Sequence, residues 1–354
     1  MNIDLGATLV ALLTFFGIAA LMALSLNLEY GIAGVPNFGQ AVFVSIGAYT
    51  TAITYTRLLP LLAGEEVIWP CGPTLGPALQ LRSEIMRTSP GAGFLNLAIT
   101  LVVAALVSGL VGYFVSRIAL RLQQEWFLAL VLLVGGETVR IFVRSYEPVI
   151  CANNGVSGVA QPFAWLGNPQ LSSILFMLLV LAVAALTWLY CERLVRSPFG
   201  RLLKALRENA AVTRSLGKDV ALARARVMLT GSVIAAIAGV FFVLNTGYIS
   251  SNDFVVTLTL DMWVMVVLGG LGNNRGALLG ALVITILDRL TAIATIQMNM
   301  SAIDLEFNYV RYILYGIILL LMLRFRPQGI LPEPARTTNA HDLLTDPAPH
   351  VADS

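Results

Sequence analysis

Long apolar runs separated by short polar connections dominate this sequence, and a chain with that pattern has lipid as its solvent. A helix that crosses a bilayer needs about 20 mainly apolar residues. Such runs stand near residues 5–28, 31–56, 94–116, 126–143, 171–190, 227–249, 254–271, 276–296 and 308–323. The expected fold is therefore all-α, a polytopic transmembrane helical bundle of 8–10 spans with nine as the best count. Composition agrees: of 354 residues 12% are charged and 57% hydrophobic, where a soluble domain carries about 25% charged residues. The N-terminal stretch Met1 to Asp4 carries no positive charge, and the run after it is long enough to stay as a span, so no cleavable signal is expected.

Orientation follows from where the basic residues fall, not from the net charge of +2. Between Glu192 and Arg226 lie nine of the 22 basic residues, including Lys204 and Lys218, against the acids Glu192, Glu208 and Asp219. The positive-inside rule makes this connection cytoplasmic. Arg324 and Arg326 follow the last span and place the C-terminus on the same side, with Arg117, Arg121 and Arg275. The connections at 57–93 and 144–170, and the stretch with Asp304 and Glu306, then fall outside. Residues 1–332 read as one transmembrane domain, and 333–354, rich in Pro, Asp, Thr and Ala, as a disordered cytoplasmic tail. The expected location is the cytoplasmic membrane, crossed many times. Cys71 and Cys151 both fall in outer connections, where they stand either as a disulfide or as two thiols. The cysteines match no metal spacing.

One run is unlike the others. Gly34, Pro36, Asn37, Gly39 and Gln40 crowd the segment 31–56 and predict a broken or re-entrant helix. Broken helices in transporters free backbone groups that grip a solute. Asn and Gln also serve as hydrogen-bonded glue between helices, so both readings of Asn37, Gly39 and Gln40 stand. Gly276 and Gly280, four apart with Ala277 and Ala281 beside them, predict a packing face.

The 192–226 connection predicts a short helix, with Ser197 as cap and Pro198 at its first position. Phe199, Leu202, Leu203, Leu206 and Ala210 form its apolar stripe. That stripe lies either on anionic lipid or against a cytosolic partner. Leu216-Gly217 then breaks the chain and aims a second helix back at the membrane. No G-x-x-x-x-G-K-[ST] run is present to cradle nucleotide phosphates, so any ATPase is a separate polypeptide.

Taken in order, AGVPNFGQAVFVSIGAY at 33–49, WFLALVLLVGGETVR at 126–140, NNGVSGV at 153–159, Arg207-Glu208-Asn209 ahead of Leu216-Gly217, MVVLGGLGNNRGALLGA at 265–281 and FRPQGIL at 325–331 resemble the permease subunits of branched-chain amino-acid ABC importers, most closely the M-type. Val212-Thr213 stand where that family commonly has a small pair, and Pro36-Asn37-Phe38 replace its commoner Leu-Ser-Leu. The resemblance implies a subunit with no chemistry and no cofactor of its own. Its expected partners are a second, H-type permease, two cytosolic ATPases that use ATP, and an external solute-binding protein, with no nucleic acid. Leu202, Leu203, Leu206, Arg207, Glu208, Asn209 and Gly217 are then the candidates for coupling to the ATPases. Glu137 and Arg140, three apart on one helix, either form a structural ion pair or steer an amino-acid zwitterion. Asp261, in the seventh run, is a further pathway candidate. Permeases for urea and short amides look similar. A solitary secondary transporter would need ion-coupling acids such as Glu137 or Asp261 and no docking loop. A membrane enzyme would need a clustered site, whereas His341 and His350 both lie in the tail.

Overall fold

The computed structural model describes residues 4–119, 125–297 and 307–333. Arg121, Asp304, Glu306, both histidines and the tail from 334 onward lie outside the described residues. In chain order the helices are α1 (Leu5–Leu26), α2 (Gln40–Ile53), α3 (Leu59–Ala63), α4 (Leu75–Thr88), α5 (Pro90–Ala119), α6 (Glu125–Ser145), α7 (Glu147–Ile150), α8 (Pro169–Arg196), α9 (Pro198–Glu208), α10 (Ala210–Ser215), α11 (Val220–Thr246), α12 (Val256–Gly269), α13 (Asn274–Gln297) and α14 (Phe307–Phe325). Each of the nine expected spans contains a helix, and the one expected at 31–56 is interrupted at its start. Among these, five helices are long and apolar enough to cross a bilayer by length and composition alone. The protein is a helical, multi-pass membrane protein.

α11 is the mast of the bundle, packed against α5, α2 and α1, while α1 also carries α8 and α13. Small residues let the central helices touch. A Cβ at Gly47 of α2 would sit 1.9 Å from the Ala236 carbonyl oxygen of α11, and one at Gly239 would sit 1.9 Å from that of Val44. Without a hydrophobic drive between helices in lipid, such backbone approach is a main source of association. Gly276 and Gly280 do the same for α12 and α13: a Cβ on Gly280 would meet the Met265 carbonyl oxygen at 1.8 Å, which bears out the packing face.

The irregular segment is where the sequence puts it, but it does not turn the next helix back. α1 continues through a π-helical turn to Ile32, and the chain is non-helical from Ala33 to Gly39. It then runs helically from Gln40 through a second π turn to Ala63. That is about 36 Å of helix, enough for a hydrocarbon core of about 30 Å. The helix is broken, and the part after the break is long enough to cross.

The two ends of the bundle differ in what closes them. At one end gather α9, α10, the last turn of α8, the start of α13 and the segment 326–333, whose Ile330 and Leu331 amides donate to the Leu268 and Gly269 carbonyls at 2.9 Å. At the other, a Cys71–Cys151 disulfide joins residues 80 apart in sequence. A two-strand antiparallel pair, β1 (Val156–Ser157) and β2 (Tyr248–Ile249), ties the same loop to the α11–α12 connection. Buried Arg82 of α4, which no sequence pattern foretold, donates to the Ser157 carbonyl at 2.9 Å. Burial pulls its guanidinium down to about 10, so it remains charged at neutral pH.

Candidate functional site

The helical run of α1 and its π turn ends after Ile32 for local reasons. Pro36 has no amide to donate, and Gly34 adopts φ +69°, a left-handed conformation that a side chain resists. The Gly34 and Val35 amides fold back onto the Tyr30 and Glu29 carbonyls at 2.9 Å, so the helix ends in a closed turn.

The side chains of the break then form one hydrogen-bonded chain across three helices. Asn37 Nδ2 donates to Glu29 Oε2 at 2.7 Å and to Gln40 Oε1 at 2.6 Å, and the Gly39 amide donates to Asn37 Oδ1 at 2.9 Å. Gln40 donates to the Ser25 hydroxyl, which donates in turn to the Gly231 carbonyl of α11 at 2.7 Å. Glu29, Asn37 and Gln40 are all 0% exposed. Trp263 of α12 donates to the Asn37 carbonyl at 3.4 Å and stacks on Phe38, ring centroids 4.5 Å apart. In this conformation Asn37 and Gln40 spend their polar groups on neighbouring helices; one atom of the set, Glu29 Oε1, has no partner among the described residues. The sequence signalled the break but not Ser25 or Glu29, whose roles depend on α11 standing beside them.

Gly39 reaches sideways to α6, where a Cβ would lie 2.6 Å from the Leu132 carbonyl oxygen. Beside it Arg140 Nε pairs with Glu137 Oε2 at 2.7 Å, both side chains half-buried. Together with Phe38, Ser45 and Thr259 they line a narrow cleft between α2, α6 and α12. Five pathway candidates are thus neighbours: Asn37 and Gly39 in the break, Gln40 at the start of α2, and Glu137 and Arg140 on α6. Asp261 is apart from them. It stands two positions after Thr259, about 200° around α12, and faces a separate cavity bordered by α1, α13 and α14.

The polar connection folds into an elbow as expected. Ser197 Oγ accepts from the Gly200 amide at 3.2 Å, and Asn209 Oδ1 caps α10 from Ala211 and Val212 at 3.0 Å. Gly217 turns the chain with φ +75°, and Asp219 caps α11. The apolar stripe of α9, however, is largely covered by the chain itself. Leu203 and Leu206 are buried and Leu202 half-buried, against α8, α11 and the π turn of α1. The bundle itself covers the stripe, because the break in α1 leaves a seat for it. Among the residues that this elbow leaves open are Glu208, Asn209, Val212 at 54% exposure and Leu216 at 73%. Val212 and Leu216 were overlooked in the sequence, although their i, i+4 spacing beside inward Thr213 was the signal.

Arg207 links the elbow to the break. It donates to the Gly31 carbonyl at the end of the π turn, and its other nitrogen pairs with Glu333 Oε2 at 2.6 Å. Lys204 pairs with Glu333 as well. Burial works against charge on Glu333, but the bonds from Lys204 and Arg207 outweigh it and hold the carboxyl below its usual range. Glu333, expected at the head of the tail, is fastened to the body.

The sequence of the chain has relatives among known proteins. Residues 8–323 match the family described as "Branched-chain amino acid transport system / permease component". A protein of Methanocaldococcus jannaschii named "Probable branched-chain amino acid transport permease protein LivM" is 34% identical over 337 residues, which cover 94% of this chain and 95% of that protein. The Escherichia coli (strain K12) "High-affinity branched-chain amino acid transport system permease protein LivM" is 27% identical over 88% of this chain and 67% of its own length. The Salmonella typhimurium LivH permease of the same system name is 23% identical over 89% of this chain and 91% of its own. No solved structure matches the chain. A match that runs from the second turn of α1 almost to the end of α14 takes in the broken helix, the elbow and the cavity alike, and the chain belongs to the branched-chain amino acid transport permease family.

Proposed function

We propose that this chain is one of two homologous membrane-spanning subunits of an ATP-driven importer for branched-chain amino acids. The match of nearly the whole helical body to permeases of that name carries the reading. Likeness to both LivM and LivH supports pairing with a second, H-type permease. The nine basic residues of the elbow region support a cytoplasmic elbow and C-terminus, and the disulfide at the opposite end suits an oxidising exterior, where a solute-binding protein would deliver its cargo.

Two cytosolic ATPases would seat on the outer face of the elbow, at Glu208, Asn209, Val212 and Leu216. Force applied there reaches the broken helix through Arg207 and the Gly31 carbonyl. The buried leucines of α9 transmit it as packing, not as contact with the ATPase. Val212→Asp with Leu216→Asp would lower uptake about tenfold or more, with the permease pair still assembled and the ATPases lost on purification.

The test is labelled leucine uptake in cells lacking this chain, with and without its restoration, and with excess urea as competitor. Uptake that returns with the chain and ignores urea is expected. Uptake that never depends on the chain overturns the amino-acid reading, and urea-sensitive uptake assigns the chain to urea and short amides.

A further inference from the structure

Four charged side chains from three helices meet inside the bundle, away from the break. Asp261 is the sixth of the fourteen residues of α12, and Asp288 the fifteenth of the twenty-four of α13. Arg289 follows Asp288, and Arg311 comes from α14. They border a cavity of about 420 Å³ that α1 closes with Phe15, Ile18 and Met22. The volume falls within the range of about 300–1,000 Å³ typical of small-molecule sites.

Three of the four charges are engaged. Arg311 pairs with Asp288, while Arg289 stands 3.5 Å from Asp288 Oδ2 and 3.5 Å above the Phe15 ring centroid. Asp261 makes no hydrogen bond and no ion pair among the described residues, although it borders the same space. Asp288, Arg289 and Arg311 keep 27%, 29% and 24% of their side-chain surface uncovered. Charged groups within membrane-spanning helices characteristically face the bundle interior or a water-filled cavity, and all three border this one. α14 agrees. Its apolar stripe of Ile313, Ile317 and Leu320 is exposed, as a lipid-facing surface should be, and lies on the other side of the helix from Arg311 and Tyr315.

We infer that this cavity is a translocation subsite for an aliphatic α-amino-acid zwitterion: Asp261 takes the ammonium, Arg289 the carboxylate, and Phe15, Ile18 and Met22 the side chain. The inference rests on the function proposed above and locates its solute. Asp288 holds Arg311 in place and neutralises its charge, which leaves the more distant Arg289 for the solute's carboxylate. The lining, with Asp253 included, offers charge of both signs, so neither end of the solute is left uncompensated in a poorly hydrated space. Asn252 and Asp253, from the connection on the disulfide side, stand at the rim and place the mouth there. Met22, Met262 and Met265 supply unbranched, polarizable walls suited to leucine, isoleucine and valine alike.

The test uses the whole complex, with its second permease, ATPases and binding protein, in proteoliposomes. Asp261→Asn should cut leucine transport about tenfold or more, the effect of losing a hydrogen bond to a charged group, while leucine-loaded binding protein still stimulates ATP hydrolysis. Asp261→Glu should restore part of the transport. Transport at the wild-type rate in Asp261→Asn overturns the subsite. Should that variant fail to assemble, Thr257→Cys at the cavity wall decides: excess leucine should slow its modification by a thiol reagent applied from the mouth side, and indifference to leucine overturns the subsite. A wild-type complex that takes up another solute but no leucine defeats the proposed function instead, whereas leucine uptake with neither response defeats only the site.

Discussion

The break after α1 and the cavity beside α12 are both polar islands inside an apolar bundle, and they are built oppositely. At the break, Ser25, Glu29, Asn37 and Gln40 are sealed at 0% exposure and spend their hydrogen bonds on one another and on α11, with Glu29 Oε1 the one atom of the set left without a partner among the described residues. Around the cavity, Asp261 is unengaged among the described residues and its charged neighbours stay a quarter open. A closed network holds helices in register, because each buried polar group would otherwise go unpaired. An open one keeps its charge for something that comes and goes. Polar residues at membrane depth therefore divide by whether the fold has already satisfied them, which residue type alone does not reveal.

The largest expected effect breaks the closed side of this contrast. Asn37→Leu strands Glu29 and Gln40, at about 1–3 kcal/mol for each buried group left unpaired, so folded protein recovered from the membrane should fall severalfold in size-exclusion profiles. Asp261→Asn should leave that yield near wild type. Equal yields for the two variants would erase the distinction between glue and site.

Arg207→Ala should come next, since it severs the link from elbow to break without opening the network. Leucine uptake should drop about three- to tenfold at unchanged yield, with ATP hydrolysis persisting. Unchanged uptake would leave the buried face of α9 as the sole route of force.

Glu137→Gln tests the intermediate case, an ion pair half-covered in the α6 cleft. A structural pair predicts a yield reduced by less than about twofold, as for partly exposed pairs, with solute preference unchanged. Altered preference at normal yield would move α6 to the working side.

The smallest effect concerns the Glu333 clasp. Its carboxyl is held below the usual range once folded, so its contribution is present above the unfolded carboxylate range and is lost as pH falls through the lower folded value. The wild type should therefore melt slightly above Glu333→Gln at neutral pH, and the gap should close on acidification. A gap that persists in acid would assign the difference to packing.

Much of this was legible beforehand. The spans, the Ser197-Pro198 helix start, the Gly217 turn and the break near Pro36 rest on spacing within a few residues. The Glu137–Arg140 pair was legible for the same reason, being three apart on one helix. The destination of the α9 stripe was not: an apolar face shows that something covers it, not what. Nor were Glu29 and Ser25, which read as ordinary residues of an apolar run until Asn37 and Gly231 are placed beside them.

The sequence by itself determined that the chain is a multi-pass helical bundle, where several of its helices are capped or broken, and that it carries no nucleotide-cradling run. Those properties follow from transfer of side chains to lipid and from backbone chemistry local to each turn. Tertiary structure alone decided that Cys71 and Cys151 join, that Glu333 clasps Lys204 and Arg207, and that Asp261 shares a cavity with Asp288, Arg289 and Arg311. Each of those depends on which helix stands beside which, and that is set by backbone approach at glycines such as Gly47, Gly239 and Gly280, far along the chain from the groups they bring together.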